Sequence, residues 1–149
     1  MKRTITLAAL TLASIAATSA NAQGVRTEKN MSLELASQIA AHTVAACTAS
    51  GYNVTATVVD RAGGVRAVQR ADNAGPHTVE ASRAKAFTSA SAKAPTLAVM
   101  ENAQKNPAAA NLRDIPGFLL LGGGVPVKVD NEVIGAVGVA GALGGHLDD

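Results

Sequence analysis

Hydrophobic and polar positions repeat with two different periods along the chain, and its first half predicts a helix followed by a pair of strands. From Leu33 to Ser50 the apolar residues recur every three or four positions, which is typical of an amphipathic helix. Ser32 is suited to cap the start of that helix. The segment from Tyr52 to Asp60 is rich in valine and threonine, and a glycine turn joins it to a returning segment from Val65 to Arg70. This arrangement predicts a β-hairpin.

The middle of the chain returns to helical spacing before a last short apolar segment. Residues 77–92, with the sequence HTVEASRAKAFTSASA, predict a helix whose start is marked by Pro76. Pro95 ends that helix and begins another, which we expect to run to about Lys105. We expect residues 106–116 to form a loop and residues 118–121 to form a short strand.

A second hairpin is predicted near the end of the chain. Residues 125–129 alternate valine with proline or a charged residue, and Asp130 and Asn131 both tolerate the backbone of a tight turn. A two-residue turn would place Val127 opposite Ile134. Both faces of this hairpin are apolar, so we expect helices on at least one side and a helix, a second subunit or a ligand on the other.

Glycines in the last strand favour close backbone packing. Gly135, Gly138 and Gly141 are spaced by three, but no helical pattern follows them, which argues against a phosphate-binding loop. We expect them to permit a bulge or the close approach of another backbone. Hairpin strands are antiparallel, so the element order predicts an α+β domain in which helices pack on an antiparallel sheet of about five strands.

The N-terminal 22 residues have the features of a secretory signal peptide. Lys2 and Arg3 precede a short apolar run, and residues 20–22 form an Ala-x-Ala cleavage site. The run is shorter than the roughly 20 residues that a membrane span needs. We therefore expect cleavage after Ala22, a periplasmic or secreted location, and a single domain comprising residues 23–149.

Charge and cysteine content exclude several classes of function. The predicted domain has 11 basic and 11 acidic residues once the two basic residues of the signal are set aside, so nothing indicates a nucleic-acid partner. Cys47 is the only cysteine, which rules out an intrachain disulfide and a cysteine-based metal site. The sequence also lacks the motifs of a serine-hydrolase nucleophile elbow, a zinc protease and a P-loop.

His77 is the candidate with the most specific chemistry. It follows a Gly-Pro loop at the predicted start of a helix, and Glu80, Lys85 and Thr88 are spaced to share one side of that helix. A histidine so placed can bind a haem iron, while Lys85 or Arg83 can pair with a haem propionate. The alternative is that His77 caps the helix or makes another local hydrogen bond, and that Lys85 is solvated. We expect His42 to be an exposed surface residue and His146 to lie near a mobile terminus.

Three blocks of sequence resemble the GlcG/HbpS-like haem-binding family: VVDRAGGVRAVQRADNA, GPHTVEASRAKAFTSA and GGGVPVKVDNEVIGAVGVAGA. The resemblance extends from about Ser32 to the end of the chain. It implies a profilin-like or PAS-like sandwich, oligomeric assembly, and the binding of haem or a related tetrapyrrole. Secreted members of the family are linked to haem and iron handling, and some degrade haem. Cytoplasmic members occur with glycolate metabolism.

The family resemblance also marks particular positions. It marks Arg70 after the second strand, Lys85 and Thr88 in the helix, and several glycines of the last hairpin. Family members continue into another helix where this sequence ends, so the final helix is expected to be missing. We expect a secreted haem-binding protein rather than an enzyme. The alternatives are an enzyme that degrades haem or acts on another small molecule, and an accessory protein that binds a small acid without haem.

Overall fold

The computed structural model describes residues 24–142 of the 149-residue chain. The predicted signal peptide, residues 1–22, and His146 lie outside the described residues, so both remain predictions. Within residues 24–142, no helix has the length and hydropathy that a membrane span requires.

Three helices, a 3₁₀ helix and four strands make up the described part of the chain. Their bounds in chain order are α1 Leu33–Ala49, β1 Thr55–Asp60, β2 Val65–Arg70, α2 Thr78–Ala92, α3 Thr96–Lys105, the 3₁₀ helix Pro107–Asp114, β3 Gly124–Val129 and β4 Glu132–Ala140. The four strands form one antiparallel sheet in the order β2-β1-β4-β3. Helix α1 packs against β1 and β2, and α2 packs against β4, β1 and β3. The α+β class and the antiparallel sheet with packed helices are confirmed.

The predicted strand at residues 118–121 is wrong, so the described sheet has four strands instead of about five. The backbone of this segment forms hydrogen bonds with hydroxyl side chains instead of with a neighbouring strand. The hydroxyl of Thr88 accepts a hydrogen bond of 2.8 Å from the amide of Leu119, and the hydroxyl of Thr96 donates one of 2.8 Å to the carbonyl of Leu121. The predicted loop at residues 106–116 is mostly the 3₁₀ helix.

The last hairpin has the predicted turn but a shifted register. Asp130 and Asn131 have φ angles of 53° and 70°, as a tight two-residue turn requires. A β-bulge places Val127 opposite Gly135, so the expected pairing of Val127 with Ile134 is wrong. The carbonyl of Ile134 instead accepts a 3.1 Å hydrogen bond from the amide of Met31, which ties the N-terminal segment to the bulge.

The two faces of the sheet are packed in chemically different ways. Under α1 lies an apolar cluster formed by Met31, Ala36, Ala40, Val58 and Ile134. Under α2 the contacts are partly polar, because buried hydroxyls of the helix pair with buried hydroxyls of β1. Thr78 lies 2.6 Å from Thr55, and Ser82 lies 2.7 Å from Thr57, measured between the hydroxyl oxygens. A helix can therefore bury one face against a sheet through small hydroxyl side chains, without an apolar stripe.

Close contact between α2 and β4 depends on glycine. A Cβ atom at Gly138 would collide with the carbonyl oxygen of Ser82 and the amide nitrogen of Ala86, both of them backbone atoms of α2. The helix backbone therefore lies directly on the strand backbone at this position. This confirms the prediction that glycines of the last strand permit a close backbone approach.

Candidate functional site

A cleft of about 590 Å³ opens where the end of α1, the start of α2 and the end of β4 meet. The loop before α2 forms one wall, and Ala140 at the end of β4 forms another. Ala81 and Lys85 of α2 lie between these walls, and they follow His77 by four and eight positions. Residues four apart lie on one side of a helix, so His77, just before α2, and Ala81 and Lys85 within it all face the same cleft.

His77 lies at the mouth of the cleft with an exposed side chain. It occupies the position just before the first residue of α2, and its side chain makes no capping hydrogen bond. The part of the alternative in which the His77 side chain caps the helix is therefore wrong. An imidazole that is not used by its own helix can bind a ligand in the cleft.

Lys85 lies deep in the same cleft and is only 1% exposed. Its Nζ atom donates a hydrogen bond of 2.8 Å to the carbonyl oxygen of Val139 in β4. The alternative in which Lys85 is solvated is wrong, because α2 lies close against the sheet and the side chain is enclosed between them. The structure thus places a cationic group at the inner end of the cleft.

Glu80 and Arg83 are not among the residues that line the cleft, and they bind each other. The Nε atom of Arg83 lies 2.8 Å from a carboxylate oxygen of Glu80, with side chains 41% and 73% exposed. An exposed pair of this kind contributes only about 0–1 kcal/mol to stability. The structure therefore does not bring these two candidates to His77 and Lys85.

Arg70 and Thr88 also lie outside the cleft lining, and each has a partner elsewhere. The guanidinium of Arg70 donates to the carbonyl oxygen of Ala74 through Nε, at 3.1 Å, and through Nη2. The hydroxyl of Thr88 is buried, donates to the carbonyl of Ala84 at 2.8 Å and accepts from the amide of Leu119. Arg70 thus fixes the loop before α2, and Thr88 fixes the segment after the 3₁₀ helix.

Several polar residues of the cleft were not found from the sequence. Tyr52, Asn53, Asn73 and Thr78 all line it. Tyr52 and Asn53 follow α1, and Asn73 precedes His77 by four residues, so the three come together only through the packing of α1 and α2 on the sheet. The one available signal was the polar loop sequence ADNAGP immediately before His77.

Two other cavities in the described part of the chain are lined by none of the predicted site residues. A cavity of about 350 Å³ between α3 and residues 118–120 is lined by apolar residues together with Gln104 and Arg113. Among residues 24–142, no group of three or more histidine, cysteine or acidic side chains could hold a metal ion. The cleft at His77 is therefore the candidate site.

The sandwich and its cleft define a small α+β domain with room for a ligand of moderate size. The family model described as "Haem degrading protein HbpS-like" matches residues 31–149, so the chain belongs to the HbpS-like family. Protein GlcG of Escherichia coli is 32% identical to it over 116 residues, which cover 78% of this chain and 85% of GlcG. The predicted family is confirmed.

Solved structures agree with this assignment. The crystal structure of a double mutant of HbpS from Streptomyces reticuli is 35% identical, with a TM-score of 0.80 and coverage of 95% of this chain and 91% of that chain. The protein ORFY of Klebsiella pneumoniae is 30% identical, with a TM-score of 0.78 and coverage of 83% of this chain and 86% of that chain. The sandwich fold predicted from the resemblance is thereby confirmed.

Proposed function

We propose that this protein binds haem or a related tetrapyrrole in the cleft at His77 and takes part in haem or iron handling. One observation carries the proposal. An exposed imidazole with no capping role and a buried ammonium line the same cleft of about 590 Å³. Ligand clefts of this size are common in proteins. The description of the matching family, which names haem degradation, supports the same ligand.

The residues of the cleft fit the chemistry of haem. Haem combines an apolar ring with two carboxylates, and its iron accepts nitrogen ligands such as imidazole. His77 would hold the iron, and Ala81, Leu121 and Ala140 would contact the apolar ring. Lys85 would attract a carboxylate to the inner end of the cleft. When bound, haem would supply an iron centre capable of electron transfer; the protein's own residues would bind and orient it.

Two further functions are candidates on separate grounds. Haem degradation is favoured by the description of the family model. Binding of a small carboxylate without haem is favoured by the amides of Asn53 and Asn73, which line the cleft together with Lys85. Carboxylates accept hydrogen bonds from amide and ammonium groups, so these three side chains suit such a ligand.

The proposal extends to the cellular location of the protein and to its self-association. The signal-like residues 1–22 support export to the periplasm or beyond, with cleavage after Ala22. Exposed valines on both edge strands of the sheet support self-association.

A haem titration of the purified domain, residues 23–149, tests the proposal. Haem binding predicts a Soret band that shifts and saturates with stoichiometric haem. Loss of that band with release of iron after addition of a reductant would instead indicate degradation. A protein that leaves the haem spectrum unchanged but is stabilised against heat by a small carboxylate would contradict haem binding and support the acid-binding alternative.

A further inference from the structure

We infer that Gly75 is a positioning residue, which sets the orientation of the His77 imidazole through the absence of its own side chain. The expected effect of Gly75 on haem binding rests on the proposed function. The position of the ring itself can be tested without haem.

The imidazole of His77 lies against the backbone of Gly75. A Cβ atom built at Gly75 would lie 2.8 Å from Cε1 and 2.9 Å from Nδ1 of His77. Real Cβ atoms do not approach other atoms so closely, so any residue other than glycine would push the ring away. The ring orientation seen at the cleft mouth therefore requires glycine at position 75.

The backbone at residue 75 would itself accept a side chain. Gly75 is not among the described glycines with a positive φ angle, so alanine there would cause no left-handed strain. This separates Gly75 from Gly51 and Gly141, two other glycines of the cleft lining, which do have positive φ angles. A Gly75→Ala substitution should therefore act on the imidazole and not on the fold of the loop.

The loop around Gly75 is held firmly enough that the ring must be the part that moves. The guanidinium of Arg70 binds the carbonyl of Ala74 through two nitrogen atoms. The carbonyl of Gly75 accepts hydrogen bonds from the amide of Thr78 at 3.0 Å and from its hydroxyl at 2.6 Å. These bonds fix the peptides on both sides of the Gly75 Cα atom. The side chain of His77 is exposed and makes no capping hydrogen bond, so it is the group that can rotate away from a methyl group at position 75.

Four proteins test this inference: the unmodified domain and the variants Gly75→Ala, His77→Ala and the double variant. The first readout is the ring resonances of His77 by NMR in the absence of haem, with His42 on α1 as the internal reference. We expect Gly75→Ala to move the His77 resonances, leave those of His42 in place and leave the urea midpoint of unfolding nearly unchanged.

The second readout is haem affinity, treated as a double-mutant cycle. We expect Gly75→Ala to weaken haem binding by about tenfold in the unmodified background and to have almost no effect when His77 is already alanine. Such coupling would show that Gly75 acts through the imidazole.

Two results would overturn the inference. One is a set of His77 ring resonances that does not change in Gly75→Ala. The other is an equal loss of haem affinity from Gly75→Ala in both backgrounds, which would mean that residue 75 acts independently of His77. If the unmodified domain binds no haem, the proposed function fails, while the NMR comparison still decides whether Gly75 positions the ring.

Discussion

Lys85 of α2 donates a hydrogen bond of 2.8 Å from its Nζ atom to the carbonyl oxygen of Val139 in β4. The side chain is 1% exposed, so its four methylene groups are buried between the helix and the last strand. Lysine is rarely buried to this extent unless its ammonium is hydrogen-bonded. Lys85 therefore stabilises the packing of α2 on β4 and also lines the cleft.

Replacing Lys85 with alanine should destabilise the fold. Loss of a long buried side chain leaves a cavity and removes the hydrogen bond to Val139, so we expect the free energy of unfolding to fall by about 2–4 kcal/mol. Urea denaturation measures the change. Lys128→Ala is the matched control, because Lys128 is exposed and its replacement should change stability by less than about 0.5 kcal/mol. Equal effects of the two substitutions would contradict the buried placement of Lys85.

A methyl group at Gly138 should separate α2 from the sheet. Its Cβ atom would meet backbone atoms of Ser82 and Ala86, which cannot rotate away as a side chain can. We expect Gly138→Ala to lower the free energy of unfolding by about 1–3 kcal/mol, as overpacking commonly does. Gly24→Ala serves as the control, since no atom of residues 24–142 beyond the chain neighbours of Gly24 lies within 4 Å of a Cβ atom built there. A thermal melt in which Gly138→Ala matches the unmodified protein would disprove the close contact.

Local patterns in the sequence were sufficient for most of the fold. Ser32 accepts a 3.1 Å hydrogen bond from the amide of Leu35 as the predicted cap of α1, and both hairpins lie where alternation and turn residues place them. These features depend on residues close together in the chain. The strand predicted at residues 118–121 failed because Thr88 and Thr96, which are distant in sequence, bind that backbone with their hydroxyls.

The candidate site was predictable only in part, for a similar reason. The loop-helix junction identified His77, and spacing along the helix linked it to Lys85. The burial of Lys85 could not be predicted from the sequence of α2 itself, because that helix has no apolar stripe. The helix is buried because glycines of β4, a strand more than 40 residues later, allow close contact between the two backbones. Asn53 and Asn73 reach the cleft through tertiary packing, which no local pattern encodes.

Self-association is expected from the edges of the sheet. Val125 and Val129 of edge strand β3 are 37% and 40% exposed, and burial of such side chains between subunits would stabilise an oligomer. Light scattering at micromolar concentration should give a mass above that of the monomer, and Val125→Lys should lower it. The same substitution at Val65, on the opposite edge strand β2, shows which edge is used. A monomer mass across the whole concentration range would refute this prediction.

Export of the chain is predicted to depend on residues 1–22. We expect the exported protein to begin at Gln23, because residues 20–22 supply the small side chains that a signal peptidase binds. N-terminal sequencing of the mature protein identifies the cleavage point. Ala22→Arg should block cleavage, since a large charged side chain does not fit that position. An exported protein that retains Met1 would show that the segment is not a cleaved signal.

The most direct test of the account is the haem titration of His77→Ala beside His42→Ala. Both histidines are exposed, but His77 lines the cleft and His42 lies on α1 away from it. If His77 binds the haem iron, His77→Ala shifts the Soret band or weakens haem binding by about tenfold or more, because an imidazole ligand is lost. His42→Ala should leave both the spectrum and the affinity as they are in the unmodified protein. The same Soret band and affinity in all three proteins would contradict the assignment of the iron ligand to His77.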